Sequence, residues 1–140
     1  MLVLFCYPLT CLENLGIMKM HRTSRYGGGN MDKNLIGGST ILMLLALLEE
    51  KDCYGYEIIK ELKERSQNVF QFKEGTLYPV LHKMENLGYV KSYRAQAENG
   101  KERKYYRITG AGKAQLAEEK KQWEVFSTSV ERVIGARGFA

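Results

Sequence analysis

Residues 72–86 read FKEGTLYPVLHKMEN, and their polar side chains are of the kinds that read a base pair. Projected on a helix at about 100° per residue, Tyr78, Pro79, His82, Lys83 and Asn86 share one face. A lysine ammonium can bond guanine O6 and N7, and a tyrosine or proline can pack on a thymine methyl. Leu77, Val80, Leu81, Met84 and Leu87 fall on the opposite, apolar face. Glu85 is the one acid near the polar face. Gly75 and Thr76 suit a helix start, with Thr76 as N-cap, and Pro79 ties that start to its neighbourhood. In isolation the stretch reads more readily as an ordinary amphipathic helix with a solvated polar face. Its neighbours decide between the two.

A first helix is expected over residues 32–50. Ile36, Ile41, Leu42, Leu44, Leu45, Leu47 and Leu48 make it apolar nearly all round, so it belongs at the centre of the core. Ser39 or Thr40 is expected as its effective N-cap, and Lys51-Asp52 breaks it. YGYEIIKELKERS gives a second helix, with Gly55 at its tight start and Ile58, Ile59 and Leu62 as its buried stripe. Lys60 and Glu64 are i,i+4 neighbours on the solvent side, as are Glu57 and Glu61. Tyr56 stands near the helix N-terminus, where a phenol and free N–H groups can bond a phosphate.

Residues 67–73 link this helix to the base-reading candidate, which Gly88 ends as a C′ residue. A strand pattern follows at residues 90–94, then the hairpin-turn dipeptide Asn99-Gly100, then a return strand at residues 104–108. Two helices followed directly by a basic hairpin are what a winged helix requires: one helix enters the major groove, and the hairpin lies along the backbone or in the minor groove. Lys101, Arg103 and Lys104 are placed to neutralise phosphates, with Lys60 and Lys73 as further backbone contacts. Singly, each of these charges also fits a solvated surface.

Thr109 can cap a last helix over Gly110–Ile134. Leu116, Trp123 and Val130 recur at intervals of seven, and Phe126 and Val133 follow the last two by three. This is an a/d seam, interrupted by Glu119. The surrounding EEKKQ makes the helix too polar for a monomer core, so a partner helix is the expected burial site. Packing back on its own domain is the alternative.

At 140 residues and 16.0 kDa the chain is long enough for one domain and an added helix. Its formal net charge is +5, and the excess is local. Residues 71–107 hold eight Lys or Arg (73, 83, 91, 94, 101, 103, 104, 107) against four Glu (74, 85, 98, 102). A basic surface there favours a polyanionic partner. Cys6, Cys11 and Cys53 are odd in number and share no spacing, so no disulfide framework is expected and a reducing, cytoplasmic compartment is indicated. No apolar run approaches the roughly 18 residues of a membrane span.

Residues 1–30 form a separate segment. MLVLFCYPL resembles the apolar part of a signal peptide, without the basic start or the cleavage site. HRTSRYGGGN is basic and glycine-rich. The segment is expected to be disordered or not natively translated, with Met31 as the start and Met18 and Met20 as rival starts. Glycine codons before Met31 fit a purine-rich ribosome-binding site. Intact mass of the natively expressed protein tests this. A disordered basic arm touching DNA is the rival reading.

TLYPVLHKMENLGYV, the Asn-Gly hairpin and RKYYRITGAGK, together with YGYEII, resemble the PadR family of bacterial transcriptional regulators. The resemblance covers about residues 35–134 and is similar to the shorter subfamily with a single C-terminal helix. It implies a homodimeric winged helix–turn–helix repressor on palindromic operators. In some members an aromatic or hydrophobic compound releases DNA, and a tryptophan of the last helix lines a pocket at the dimer interface. Trp123 matches that tryptophan, and a dimer-core role stands beside the pocket role.

The expected architecture is mainly α with a small β-hairpin: residues 31–108 as a winged helix–turn–helix and residues 109–140 as a C-terminal dimerisation helix. An enzyme is not expected, because no nucleophile–base pair or phosphate loop is present and His21 and His82 are the only histidines. Nor is a cofactor or metal, since Cys53 and His82 are too few for a site. The remaining rival is a winged helix used for protein interaction without DNA binding.

Overall fold

The computed structural model describes residues 33–135, with side chains from Ile36 onward. Expectations for residues 1–30 lie outside the described residues. The elements run α1 (Lys33–Glu50), β1 (Cys53–Tyr54), α2 (Gly55–Arg65), α3 (Glu74–Asn86), β2 (Val90–Gln96), β3 (Glu102–Ile108) and α4 (Gly110–Ile134).

The Leu-rich α1 is central, as its all-round apolarity requires. Leu44, Leu45, Leu47 and Leu48 are buried, and Ile41, Leu42, Met43 and Ala46 pack against the same core. Its start differs from expectation. Ser39 and Thr40 lie inside the helix, where both hydroxyls donate back to the Ile36 carbonyl at 3.3 and 2.8 Å. A hydroxyl bonded backward satisfies itself on the preceding turn, so it does not interrupt the helix.

Helix α2 begins at Tyr54, whose N–H donates to Glu57 Oε2 at 3.3 Å. Ile58 and Leu62 are buried, and Ile59 is half-buried. The end of α2 is tied to the end of α1 by charge. Arg65 bonds both Glu50 carboxylate oxygens at 2.8 Å and Glu61 at 2.9 Å, while Lys51 reaches Glu61 at 3.0 Å. The turn out of α2 holds Gln67 and Asn68 at φ 53° and 69°, closed by Asn68 N–H to Lys63 O at 2.8 Å.

Helix α3 starts earlier than expected. Lys73, in extended conformation, is the N-cap, and Thr76 lies within the first turn. The Lys73 carbonyl accepts the Thr76 and Leu77 N–H groups. Pro79 is therefore inside the second turn and leaves the carbonyl of exposed Gly75 without its helical donor. Leu77, Leu81 and Met84 are buried as the periodicity requires. Leu87 is not: as C-cap it is 50% exposed, because the helix stops at Asn86 and the face no longer continues. Gly88 at φ +79° turns the chain, with Tyr89 N–H on Met84 O at 2.9 Å.

The expected two-stranded hairpin is a three-stranded antiparallel sheet in the order β1-β3-β2. Cys53 pairs with Tyr106 and Tyr54 with Tyr105. Two residues are too few to show a strand period, so β1 is created by the edge of β3 rather than by its own pattern. The wing strands run longer than expected, from Val90↔Ile108 out to Gln96↔Glu102. At the tip Gly100 N–H bonds Ala97 O at 2.9 Å, Ala97 N–H bonds Lys101 O at 2.8 Å, and Gly100 has φ +78°. This is a three-residue hairpin loop ending on a left-handed residue.

Thr109 caps α4 as expected, its hydroxyl accepting the Gly112 N–H at 3.0 Å. The seam reading is corrected at its first position. Leu116 is 1% exposed and packs in the same core as Ile58, Leu81 and Val90, so it is used inside its own chain. The compact unit formed by the described helices and sheet extends to Trp123. From Glu124 the helix belongs to a second unit, and its Val125, Phe126, Val133 and Ile134 are exposed. Three helices around one core, followed by a β-hairpin wing and a long terminal helix, make a mainly helical winged-helix architecture.

Candidate nucleic-acid interface

The polar face of α3 is built by subtraction. The core takes Leu77, Leu81 and Met84, which leaves Thr76, Pro79, His82, Lys83 and Asn86 exposed along the outer side. None of these five side chains has a hydrogen bond or ion pair among the described residues. They are therefore free to exchange water for base edges without first breaking an internal bond.

Tyr78 has a different place. A Cβ built at Gly55 would come within 2.5 Å of the Tyr78 hydroxyl oxygen and 2.8 Å of its ring carbon Cζ. The phenol therefore lies on the bare backbone at the start of α2, where α2 and α3 meet. Its hydroxyl end is turned toward α2, while the residue as a whole stays 42% exposed. Tyr56 and Lys60 remain exposed on α2, and Lys73 is exposed at the α3 start.

The wing meets α3 through Glu85. Ser92 Oγ of β2 donates to Glu85 Oε1, and Lys104 of β3 lies 3.7 Å from Glu85 Oε2. The Ser92 hydrogen bond holds the Glu85 carboxyl below its usual range; partial burial opposes this, and Lys104 and His82 reinforce it. Lys104 also stands over the Tyr106 ring at 5.4 Å. Its ammonium thus points to the side of the wing nearest α3.

Strand alternation sends Arg103 the other way. Lys104, Tyr106 and Ile108 share the face that buries Tyr106, whereas Arg103, Tyr105 and Arg107 share the outer face. Arg103 lies over the Tyr54 ring at 5.7 Å with its Nε buried. The basic triplet is therefore split: Lys101 is exposed at the tip, Lys104 faces α3, and Arg103 faces away.

Sequence reasoning did not find the cluster on that outer face. Asp52 accepts a hydrogen bond from the Tyr93 hydroxyl at 2.6 Å and from Arg107 Nε at 2.9 Å. Tyr93 stacks on Tyr105 at 5.6 Å, and Tyr105 meets Tyr54 edge-on at 5.4 Å. Asp52 and Arg107 are 55 residues apart, and only strand pairing brings them together, so no local spacing could have signalled them.

Cys53 is buried and forms no disulfide among the described residues, and burial pushes its thiol up to about 11. Among the described residues no group of His, Cys, Asp and Glu could hold a metal ion, and no helix is long and apolar enough to cross a membrane.

Comparison with known proteins agrees with this geometry. A family profile described as the transcriptional regulator PadR-like family matches residues 44–118, from the middle of α1 to the first turns of α4. An uncharacterised protein of Lysinibacillus sphaericus is 44% identical over 90 residues, 64% of this chain and 83% of the relative. Among solved structures, a transcriptional regulator from Clostridium thermocellum superposes with a TM-score of 0.66 at 35% identity, covering 71% of this chain and 97% of that one. A PadR family transcription regulator from Clostridium difficile gives 0.61 at 37%, covering 69% and 99%.

Proposed function

The chain belongs to the PadR-like family of transcriptional regulators, which are not enzymes, and from that premise we propose that it is a cytoplasmic, homodimeric DNA-binding repressor. The observation that carries the reading is the exposed row Thr76, Pro79, His82, Lys83 and Asn86 on α3, beside a wing whose Lys104 is held toward the same helix. In this reading α3 enters the major groove, and its two-fold mate enters the next one about 34 Å away, which calls for a palindromic operator. Lys83 bonds guanine, and His82 and Pro79 contact base edges. Lys60, Lys73, Lys101 and Lys104 neutralise phosphates, with Tyr56 at the α2 start as a further backbone contact.

The partner copy is supported by α4. Val125, Phe126, Val130, Val133 and Ile134 leave large apolar side chains at the surface of its last turns, and Trp123 is 49% exposed just before them. The dimer seam in this reading is Trp123, Phe126, Val130 and Val133, without Leu116. An aromatic or hydrophobic effector would bind against the same seam, where Trp123 supplies a flat ring.

The test is fluorescence anisotropy of the full chain with labelled duplex from upstream of its own gene, beside a scrambled duplex, over a salt series. Expected are preference for the native duplex, two protomers per site, and affinity that falls steeply with salt. Lys101→Ala should weaken both duplexes and reduce the salt slope by about one phosphate contact. Lys83→Ala should reduce the preference between duplexes. Equal, weak binding to both duplexes would favour a protein-interaction module instead.

A further inference from the structure

Resting on that DNA-binding reading, we propose that Asp52 is a positioning residue that fixes the wing relative to the recognition helix from the face turned away from α3. The lock is one carboxylate on three strands. Asp52 leads directly into β1, and its Oδ2 accepts from Tyr93 of β2 and from Arg107 of β3. Arg107 Nη2 completes the pair at 2.7 Å, and its guanidinium lies over the Tyr93 ring at 5.1 Å. The contacts continue through Tyr105 and Tyr54 to the N-cap of α2, the helix on which Tyr78 of α3 rests.

The lock is needed because the backbone tie is short. β1 pairs with β3 over Cys53 and Tyr54 only, and a two-stranded hairpin is marginal by itself. From Tyr93 to Asn99 the wing extends roughly 20 Å at about 3.3 Å per residue. A tilt of about 10° at the lock would shift Lys101 by roughly 3–4 Å over that span, enough to break a phosphate hydrogen bond. Glu85 holds the other face through Ser92 and Lys104, but its partners lie where DNA would compete for them. Asp52 is on the side away from that contact, so its tie persists when DNA binds.

Electrostatics and positioning make opposite predictions. Removing an acid from a DNA-binding protein raises its attraction for a polyanion. Loss of the lock lowers affinity, because the wing lysine no longer meets its phosphate. Asp52→Ala and Asp52→Asn delete the same charge, but asparagine retains an acceptor for Tyr93. The experiment measures anisotropy of the full-length wild type and both variants, alone and with Lys101→Ala and Lys104→Ala, over a salt series. Hydrogen exchange of the β2 and β3 amides is followed in parallel without DNA.

Expected are a roughly tenfold weaker Asp52→Ala, a loss of about threefold in Asp52→Asn, and a salt slope lower by about one contact. In the background lacking both wing lysines, Asp52→Ala should add nothing, and exchange should rise in the hairpin but not in α1. Equal or tighter binding by Asp52→Ala, or the same loss in the lysine-free background, overturns the proposal while leaving the DNA reading intact. If Asp52→Ala does not fold, Asp52→Asn decides by the same criteria. Wild-type protein that does not distinguish the duplexes overturns the DNA reading and this proposal with it, and the exchange data alone then report whether Asp52 orders the wing.

Discussion

Single residues in this domain divide into those that face outward and those that lie between elements. Tyr78 belongs by helical projection with the first and by contact with the second. Its phenol occupies the space that a side chain at position 55 would need, so a side chain there has to push the ring end aside. Gly55→Ala should cost about 1 kcal/mol, the low end for an overpacked contact because the partly exposed ring end can swing aside, read from urea unfolding. Tyr78→Phe in the same chain should recover part of that loss, because it removes the nearest atom. An equally stable Gly55→Ala would mean that the ring end yields at no cost. A lone glycine before YEII shows where a helix starts, but not which distant ring lies upon it.

Charge ties elements together at several places among the described residues, among them the Glu50–Arg65–Glu61–Lys51 cluster between the ends of α1 and α2, the Glu85 tie between α3 and the wing, and the Asp52–Arg107 pair. The Arg65 hydrogen bonds hold Glu50 below the usual carboxylate range, and Lys51 and Arg65 do the same for Glu61, in both cases against partial burial. A carboxylate with a lowered folded pKa stabilises the fold above its unfolded value, about 4.3 for Glu, and that contribution is lost as pH falls through the folded value. The urea midpoint of wild type should therefore hold between pH 7 and about pH 5 and decline below about pH 4, with Arg65→Ala showing a shallower decline over the same interval. An unchanged pH profile in Arg65→Ala would show that the Arg65 bonds to Glu50 and Glu61 contribute nothing. The pairs are partly exposed, so salt should weaken the effect. The i,i+4 spacing of Glu61 and Arg65 is visible in the sequence, but the bidentate bond to Glu50 is not, because it depends on how two helices meet.

For the whole molecule, the decisive division falls within α4. Leu116 lies in the chain's own core, whereas Val130 and Val133 face outward. Leu116→Ala should therefore lower the stability of each protomer by about 2–5 kcal/mol, as a cavity in a packed core does. Val130→Asp with Val133→Asp should instead leave unfolding nearly unchanged, shift sedimentation to a monomer, and weaken binding to a two-half-site duplex more than tenfold by loss of bivalency. A dimer that survives the paired aspartates would exclude the seam. The sequence alone determined much of this protein: the order of helices and hairpin, the Gly88 and Thr109 boundaries, the full length of α4, the buried side of α3 and the family. The family follows from the resemblance of its motifs; each of the others follows from a local period or cap, and locally encoded features survive folding. Tertiary structure decided the rest. It made Cys53–Tyr54 a strand, split Arg103 from Lys104, placed Leu116 inside, exposed Leu87, turned Tyr78 onto Gly55 and gathered Asp52, Tyr93 and Arg107 around one carboxylate. Those outcomes depend on which surfaces meet across tens of residues, and a spacing rule carries no information about that distance.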